Sequence, residues 1–231
     1  MNKASIHSIY RATEGEGVFI GTPQVFVRFQ GCAVGCINCD SMETWDFIDG
    51  TLTTQEIHEQ IQKESTIAGH EIKRVSITGG DPLHPKNTAA TLELARFLKS
   101  EGYFINIEAA GTRCVDEVFE VVDYISFDFK TPSTGVKFNQ KVFEKFISKY
   151  SDKAQIKAVI ADDRDFNAYY ELASKYKVDC PWVITPCYEP NEEFPLGRFK
   201  KIIDLNERTG ARFRVIGQQH KWLHGPDKRN I

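Results

Sequence analysis

Three features of the sequence predict an α/β fold built on a parallel sheet. Short β-branched or aromatic runs alternate with longer amphipathic ones about six times. The amphipathic runs carry helix-end signals, and the chemically unusual residues follow the strand-like runs rather than lie inside them. Such a pattern closes as a doubly wound sheet or as a full or partial barrel. The 231 residues are 41% hydrophobic and 12% aromatic, enough for one sizeable core, so residues 1–231 read as a single domain.

The elements follow in order. The first strand is QVFVRF (24–29), and an irregular stretch, SMETWDFIDGTL (41–52), precedes the first helix. That helix, TQEIHEQIQKE, opens with a capping box made by Thr53 and Glu56. RVSIT (74–78) is the second strand, and Gly102 closes the helix TLELARFLKSEG. YFINIE (103–108), YISFDF (124–129), AQIKAVI (154–160) and WVIT (182–185) are the next strands. Gly210 closes FKKIIDLNERTG, and RFRVIG (212–217) is the last strand. No fixed-period repeat, low-complexity tract or Pro/Gly/Ser-rich linker interrupts them.

A formal net charge of -3 with both signs interspersed argues against a polyanion-binding surface, so nucleic acid is not an expected partner. The N-terminal residues lack the apolar region of a signal peptide, and no run is apolar enough to span a bilayer. A cytoplasmic location without membrane attachment is therefore expected, and in a reducing compartment cysteines serve as ligands, catalytic groups or small buried hydrophobes. Of the six cysteines, Cys114, Cys180 and Cys187 are scattered, whereas Cys32, Cys36 and Cys39 are clustered.

In a parallel α/β fold the loops after the strands open on one face, which holds the active site. Those loops here carry the cysteine cluster, TGGD (78–81), EAAGT (108–112), DFKTPSTG (128–135), TPC (185–187) and GQQHK (217–221). The C-x3-C-x2-C spacing fits a zinc site poorly, because zinc usually takes four ligands and no second cysteine pair exists. Three thiolates on a 4Fe-4S cluster would leave one iron open for an exogenous ligand. Paired glycines in TGGD let a ligand approach the backbone, and Asp81 can accept from an ammonium. Arg28 ends an apolar strand just before the cysteines, where a planar guanidinium suits a carboxylate.

The cysteine spacing resembles the signature of the radical S-adenosylmethionine superfamily, and TGGD resembles its G-G-E element with a shorter carboxylate. TEGEGVFIGTPQVFVRFQGCAVGCINCDSMETW (13–46) is similar to the N-terminal signature of the 7-carboxy-7-deazaguanine synthase family, with Glu14 in place of the usual glutamine. EAAGT and QQHKWLHG are similar to that family's E-T-x-G-T and Q-T-H-K elements. The resemblance implies a partial TIM-like barrel of six to seven βα units. It also implies conversion of 6-carboxy-5,6,7,8-tetrahydropterin to 7-carboxy-7-deazaguanine with loss of ammonia, through a 5′-deoxyadenosyl radical, in 7-deazapurine pathways such as that of queuosine.

Residue by residue, the resemblance implies that Cys32, Cys36 and Cys39 hold the cluster and Ser41 a magnesium ion. Asn38, Cys39, Asp40, Gly80, Asp81, Asp128, Phe129 and Lys130 would bind S-adenosylmethionine. Thr13, Glu14, Gly15, Arg28, Thr78, Glu108 and His220 would bind the pterin. A homodimer and an electron donor such as flavodoxin or ferredoxin are implied as well. Two alternatives stand beside this reading: a radical activase acting on a protein, and a non-catalytic zinc-binding domain.

Overall fold

The computed structural model describes residues 3–189, 192, 194–225 and 228. β1 (Ile6–Thr13) runs antiparallel to β2 (Pro23–Phe29). After β2 come β5 (Arg74–Gly79), β6 (Phe104–Ala109), β7 (Tyr124–Asp128), β8 (Ala154–Ile160), β9 (Trp182–Pro186) and the short β10 (Arg214–Val215). Each is parallel to the one before, giving an eight-stranded sheet in the order β1-β2-β5-β6-β7-β8-β9-β10 that does not close on itself. A hairpin of β3 (Thr66–Ile67) and β4 (His70–Glu71) stands apart. The partial barrel expected from the sequence is the fold observed.

The helices are α1 (Thr54–Ser65), α2 (Pro85–Ser100), α3 (Asp116–Phe119), α4 (Gln140–Tyr150), α5 (Asp163–Lys175), α6 (Leu196–Arg208) and α7 (Gln219–His224). The capping box at Thr53 and Glu56 is formed in both directions, and Gly102 and Gly210 take positive φ just beyond α2 and α6. The irregular 40s hold only a 3-10 turn over Met42–Thr44.

Alternation along the strands sorts the side chains into two faces. Val25, Val27, Phe29, Val75, Ile77, Ile105, Ile107, Ile125, Phe127, Ile156 and Ala158 are buried in the core, which also takes Ile57, Leu94, Phe146 and Tyr169 from the helices. Burying each large apolar side chain stabilises the fold by roughly 1.5–3 kcal/mol. Their neighbours one residue away are mostly polar: Gln24, Ser76, Thr78, Asn106, Glu108, Ser126, Asp128, Gln155 and Lys157. A parallel sheet covered on both faces is normally apolar on both. The second face is therefore the wall of an interior that needs polar groups.

The sequence reading misses β1, and with it the path of residues 13–22. Because β1 is antiparallel, Thr13 lies opposite Pro23, at the start of β2 rather than at its end. Residues 14–22 then form a strap, held by the Glu14 N–H on the Thr22 carbonyl (2.8 Å) and the Gly21 N–H on the Glu14 carbonyl (2.8 Å). The ring of Phe19 packs edge-on against Tyr124 and Phe104, and Arg74 lies over its face 4.0 Å from the centroid. β10 is shorter than the expected 212–217 strand, because the chain leaves the sheet after Val215 to build α7.

Candidate active site

The cysteine loop leaves the end of β2 and is fixed by backbone contacts to its neighbours. The Gly31 N–H donates to Thr44 (2.7 Å), the Cys32 N–H to Trp45 (3.1 Å) and the Ile37 N–H to Thr134 (2.9 Å). TGGD packs directly beneath: Gly80 N–H donates to Phe29 (3.0 Å) and Asp81 N–H to Gly31 (2.9 Å). A side chain at Gly80 would run into the backbone carbonyls of Gly31 and Thr44, so glycine is required there by close approach.

Cys32, Cys36 and Cys39 are free thiols, partly exposed. Burial pushes the Cys32 thiol up, and Asp81, Cys36 and Cys39 push in the same direction, which places the three sulfurs within electrostatic reach of one another. Burial also raises Cys36, with Lys130 opposing and Cys39 and Asp128 adding to the rise. N–H donors point at two of the sulfurs: Val34 N–H at Cys32 (3.4 Å) and the Trp45 indole at Cys39 (3.3 Å). Donors of this kind tune thiolate-held iron clusters. Among the described residues no three His, Cys, Asp or Glu side chains converge on a single-ion site. A four-iron cube takes each thiolate on a different iron and does not require that convergence, so the donor set fits a cluster.

Around this loop the predicted residues gather. Lys130 donates to Asp128 (2.7 Å); burial alone would lower Lys130, but the charges of Asp128 and Cys36 raise it. Asp128 Oδ1 is buried without a hydrogen-bond partner among the described residues. Asp81 is 2% exposed, accepts from Leu83 N–H (3.0 Å) and lies 3.9 Å from Arg113, with burial raising its carboxyl. Ser41 Oγ is 3.8 Å from the Cys39 sulfur. Asn38 and Asp40 are exposed on the loop, and the Asp40 charge acts on His220 across the site. Phe129 departs from the group: its ring packs into the core against Phe138 and Tyr169, so only its backbone faces the site.

The polar interior lies beside them. Arg28 pairs in register with Thr78 and donates to the Tyr10 hydroxyl (3.0 Å). Glu108 accepts from Asn106 (2.8 Å), which also donates to Ser76 (2.9 Å). Thr13 is exposed, while Glu14 and Gly15 are buried. The His220 ring occupies the space a side chain at Gly15 would need, and the Gln219 N–H donates to the Gly15 carbonyl (2.8 Å). Strap and α7 are thus fitted face to face, and burial lowers the His220 pKa.

Sequence reasoning overlooks Glu16, Lys157, Gln155, Gln218 and Gln24. Lys157 bonds Glu16 (2.7 Å) and lies 3.5 Å from Glu108. Gln218 donates to Glu16 (2.5 Å), and Gln155 accepts from the Val18 N–H (2.9 Å). Burial would raise Glu16, but Lys157, then His220 and the hydrogen bonds from Lys157 and Gln218, hold its carboxyl well below the usual range. A legible signal for part of this exists in AQIKAVI, where Gln155 and Lys157 recur at period two in a strand that should be apolar.

Glu14 is the opposite case. It accepts from Gln24 (2.7 Å) and from the Glu16 N–H (3.2 Å), yet burial and the Glu108 charge push its carboxyl up to about 7 against Lys157 and Gln24. A carboxyl whose folded pKa exceeds its unfolded value of 4.5 contributes stability below that value and loses it as pH rises to about 7. Glu14→Gln is therefore expected to melt above the parent protein at pH 8, with the gap shrinking toward pH 5. Thermal melts across that range check it; a gap that does not vary with pH contradicts it.

Comparison with known proteins places this geometry. Residues 13–118 match the 4Fe-4S single cluster domain family. The 7-carboxy-7-deazaguanine synthase of Bacillus cereus is 31% identical over 179 residues, covering 76% of this chain and 74% of the relative. That of Pyrobaculum aerophilum is 30% identical over 94% of this chain and 93% of its own. Among solved structures, QueE from Escherichia coli superposes with a TM-score of 0.69 at 22% identity, covering 94% of this chain and 95% of that one. Streptococcus suis SuiB bound to S-adenosylmethionine gives 0.55 at 13% identity, over 87% of this chain and 52% of that one, and shares the fold. With the cysteine loop, the half-barrel and these relatives together, the chain belongs to the 7-carboxy-7-deazaguanine synthase family.

Proposed function

We propose that this protein is a lyase that converts 6-carboxy-5,6,7,8-tetrahydropterin to 7-carboxy-7-deazaguanine with loss of ammonia. The observation that carries the reading is the closure of strap and α7 over a polar half-barrel next to three thiols, with His220 against Gly15 and within reach of Asp40. Cys32, Cys36 and Cys39 would hold a 4Fe-4S cluster, which when bound supplies the electron that cleaves S-adenosylmethionine to a 5′-deoxyadenosyl radical.

The remaining roles belong to the chain itself. Gly80, Asp81, Asn38, Asp40, Asp128, Lys130 and the Phe129 backbone would orient S-adenosylmethionine, Lys130 offering its ammonium to the carboxylate. Arg28 would take the pterin carboxylate in a bidentate pair, with His220 as a second donor. Glu108, Glu14, Gly15, Thr13 and Thr78 would meet the donor-rich edge of the pterin ring, where carboxylates accept N–H bonds. Ser41 would give magnesium one hard oxygen, with substrate and water supplying the others.

The same reading includes a homodimer, an electron donor such as flavodoxin or ferredoxin, and a cytoplasmic setting. No helix among the described residues is long and apolar enough to cross a membrane. The test is substrate dependence. Reduced, reconstituted protein with S-adenosylmethionine and magnesium should release 5′-deoxyadenosine faster once 6-carboxytetrahydropterin is added; an unchanged rate would count against the substrate.

A further inference from the structure

We propose that Lys157 is a positioning residue of this site, its ammonium tying Glu16 of the strap to Glu108 of β6 and so fixing the wall against which a pterin is held. The inference rests on the pterin reading above. Both oxygens of Glu16 are taken, one by Lys157 at 2.7 Å and one by Gln218 at 2.5 Å, so Glu16 is a fastening rather than a free acceptor. Glu108 is held more loosely. One of its oxygens accepts from Asn106 at 2.8 Å and the other is 3.5 Å from Lys157, and its side chain stays 23% exposed. It is the carboxylate left able to face a ligand.

Lys157 comes from the strand across from both. Its side chain is 10% exposed, and a charge in the middle of a parallel strand carries a desolvation penalty that only close partners offset. Gln155, two residues earlier on the same face, holds the next stretch of the strap by accepting from Val18 N–H (2.9 Å) and donating to Ser126 (2.8 Å). Gly17, at φ +68, leaves no room for a side chain beside the Gln155 amide. β8 thus supplies two of the strap's anchors, and Gln218 joins the base of α7 to the Glu16 carboxylate. Cutting the Lys157 tie leaves Glu16 held by Gln218 and Glu108 by Asn106, with nothing joining the two carboxylates.

The experiment titrates reconstituted protein, with S-adenosylmethionine bound, with the oxidised analogue 6-carboxypterin in a calorimeter. S-adenosylmethionine binding and melting temperature are measured in parallel. Lys157→Met is expected to weaken 6-carboxypterin binding about tenfold or more while S-adenosylmethionine binding stays within about twofold, and Lys157→Arg is expected to recover most of the loss. Glu16→Gln, which keeps the shape of the strap, is expected to lose pterin affinity in the same direction and decides the matter if Lys157→Met does not fold. Unchanged pterin affinity in the variants, or equal losses for both ligands together with a lower melting temperature, would overturn the positioning role. Absence of binding by the parent protein would instead overturn the pterin reading on which it stands.

Discussion

Cys36→Ala is expected to purify colourless under anaerobic conditions and to release no detectable 5′-deoxyadenosine, where the parent protein is expected to be brown and active. With the cluster held by the three loop thiolates as proposed, the loop has no spare ligand, and the other three cysteines lie outside it in sequence. Burial raises Cys114 and Cys180 to about 11, and the Cys187 sulfur is spent on the Tyr188 carbonyl at 3.3 Å. Iron and sulfide content, visible absorbance and deoxyadenosine by mass spectrometry check the expectation. A variant with full iron content and normal turnover would show that the C-x3-C-x2-C loop is not the cluster site. Stoichiometric zinc and no iron in the parent protein would favour a zinc-binding domain.

Arg28→Ala should separate substrate binding from radical generation. The guanidinium spends one N–H on the Tyr10 hydroxyl, whose ring stacks on Phe26 at 5.3 Å, and that contact braces it without using its other donors. Losing a charge-assisted bidentate pair costs about 3 kcal/mol, or about a hundredfold in kcat/KM for the pterin. Deoxyadenosine release without pterin should stay near the parent rate, because Arg28 is not among the residues proposed to bind S-adenosylmethionine. Arg28→Lys should recover only part of the loss, since a point charge cannot reproduce the fork. A kcat/KM within twofold of the parent would remove Arg28 from the carboxylate site.

Much of this molecule is readable in its residues. Strand period, the capping box at Thr53 and the glycines at 102 and 210 give β2, β5 to β9, α1 and the ends of α2 and α6, because these signals are local. The convergence of the loops follows from parallel topology alone. β1 is missed because IHSIYRAT lies on the sheet's edge with partly exposed residues on both faces, so its alternation is weak. The strap is missed for a related reason. Its conformation is set by contacts to Gln155, Lys157 and Gln218, between 137 and 202 residues away in sequence, which no local pattern encodes.

The same distance explains the division among site residues. The cysteines, TGGD and Arg28 are singled out by type and spacing, and the fold brings them to one end of the sheet. Glu16 and Lys157 are ordinary charges in the sequence and become a tie only when the strap crosses the half-barrel. Phe129 shows the converse: it stands among chemically active neighbours, yet alternation turns its ring into the core.

The most direct measurement is the identity of the product. Reconstituted, reduced protein would be incubated anaerobically with S-adenosylmethionine, magnesium and 6-carboxy-5,6,7,8-tetrahydropterin, and the mixture read by mass spectrometry. The predicted result is 7-carboxy-7-deazaguanine together with 5′-deoxyadenosine, both absent from Cys36→Ala. Deoxyadenosine with no deazaguanine, from protein carrying a full cluster, would contradict it and leave a radical enzyme with another substrate.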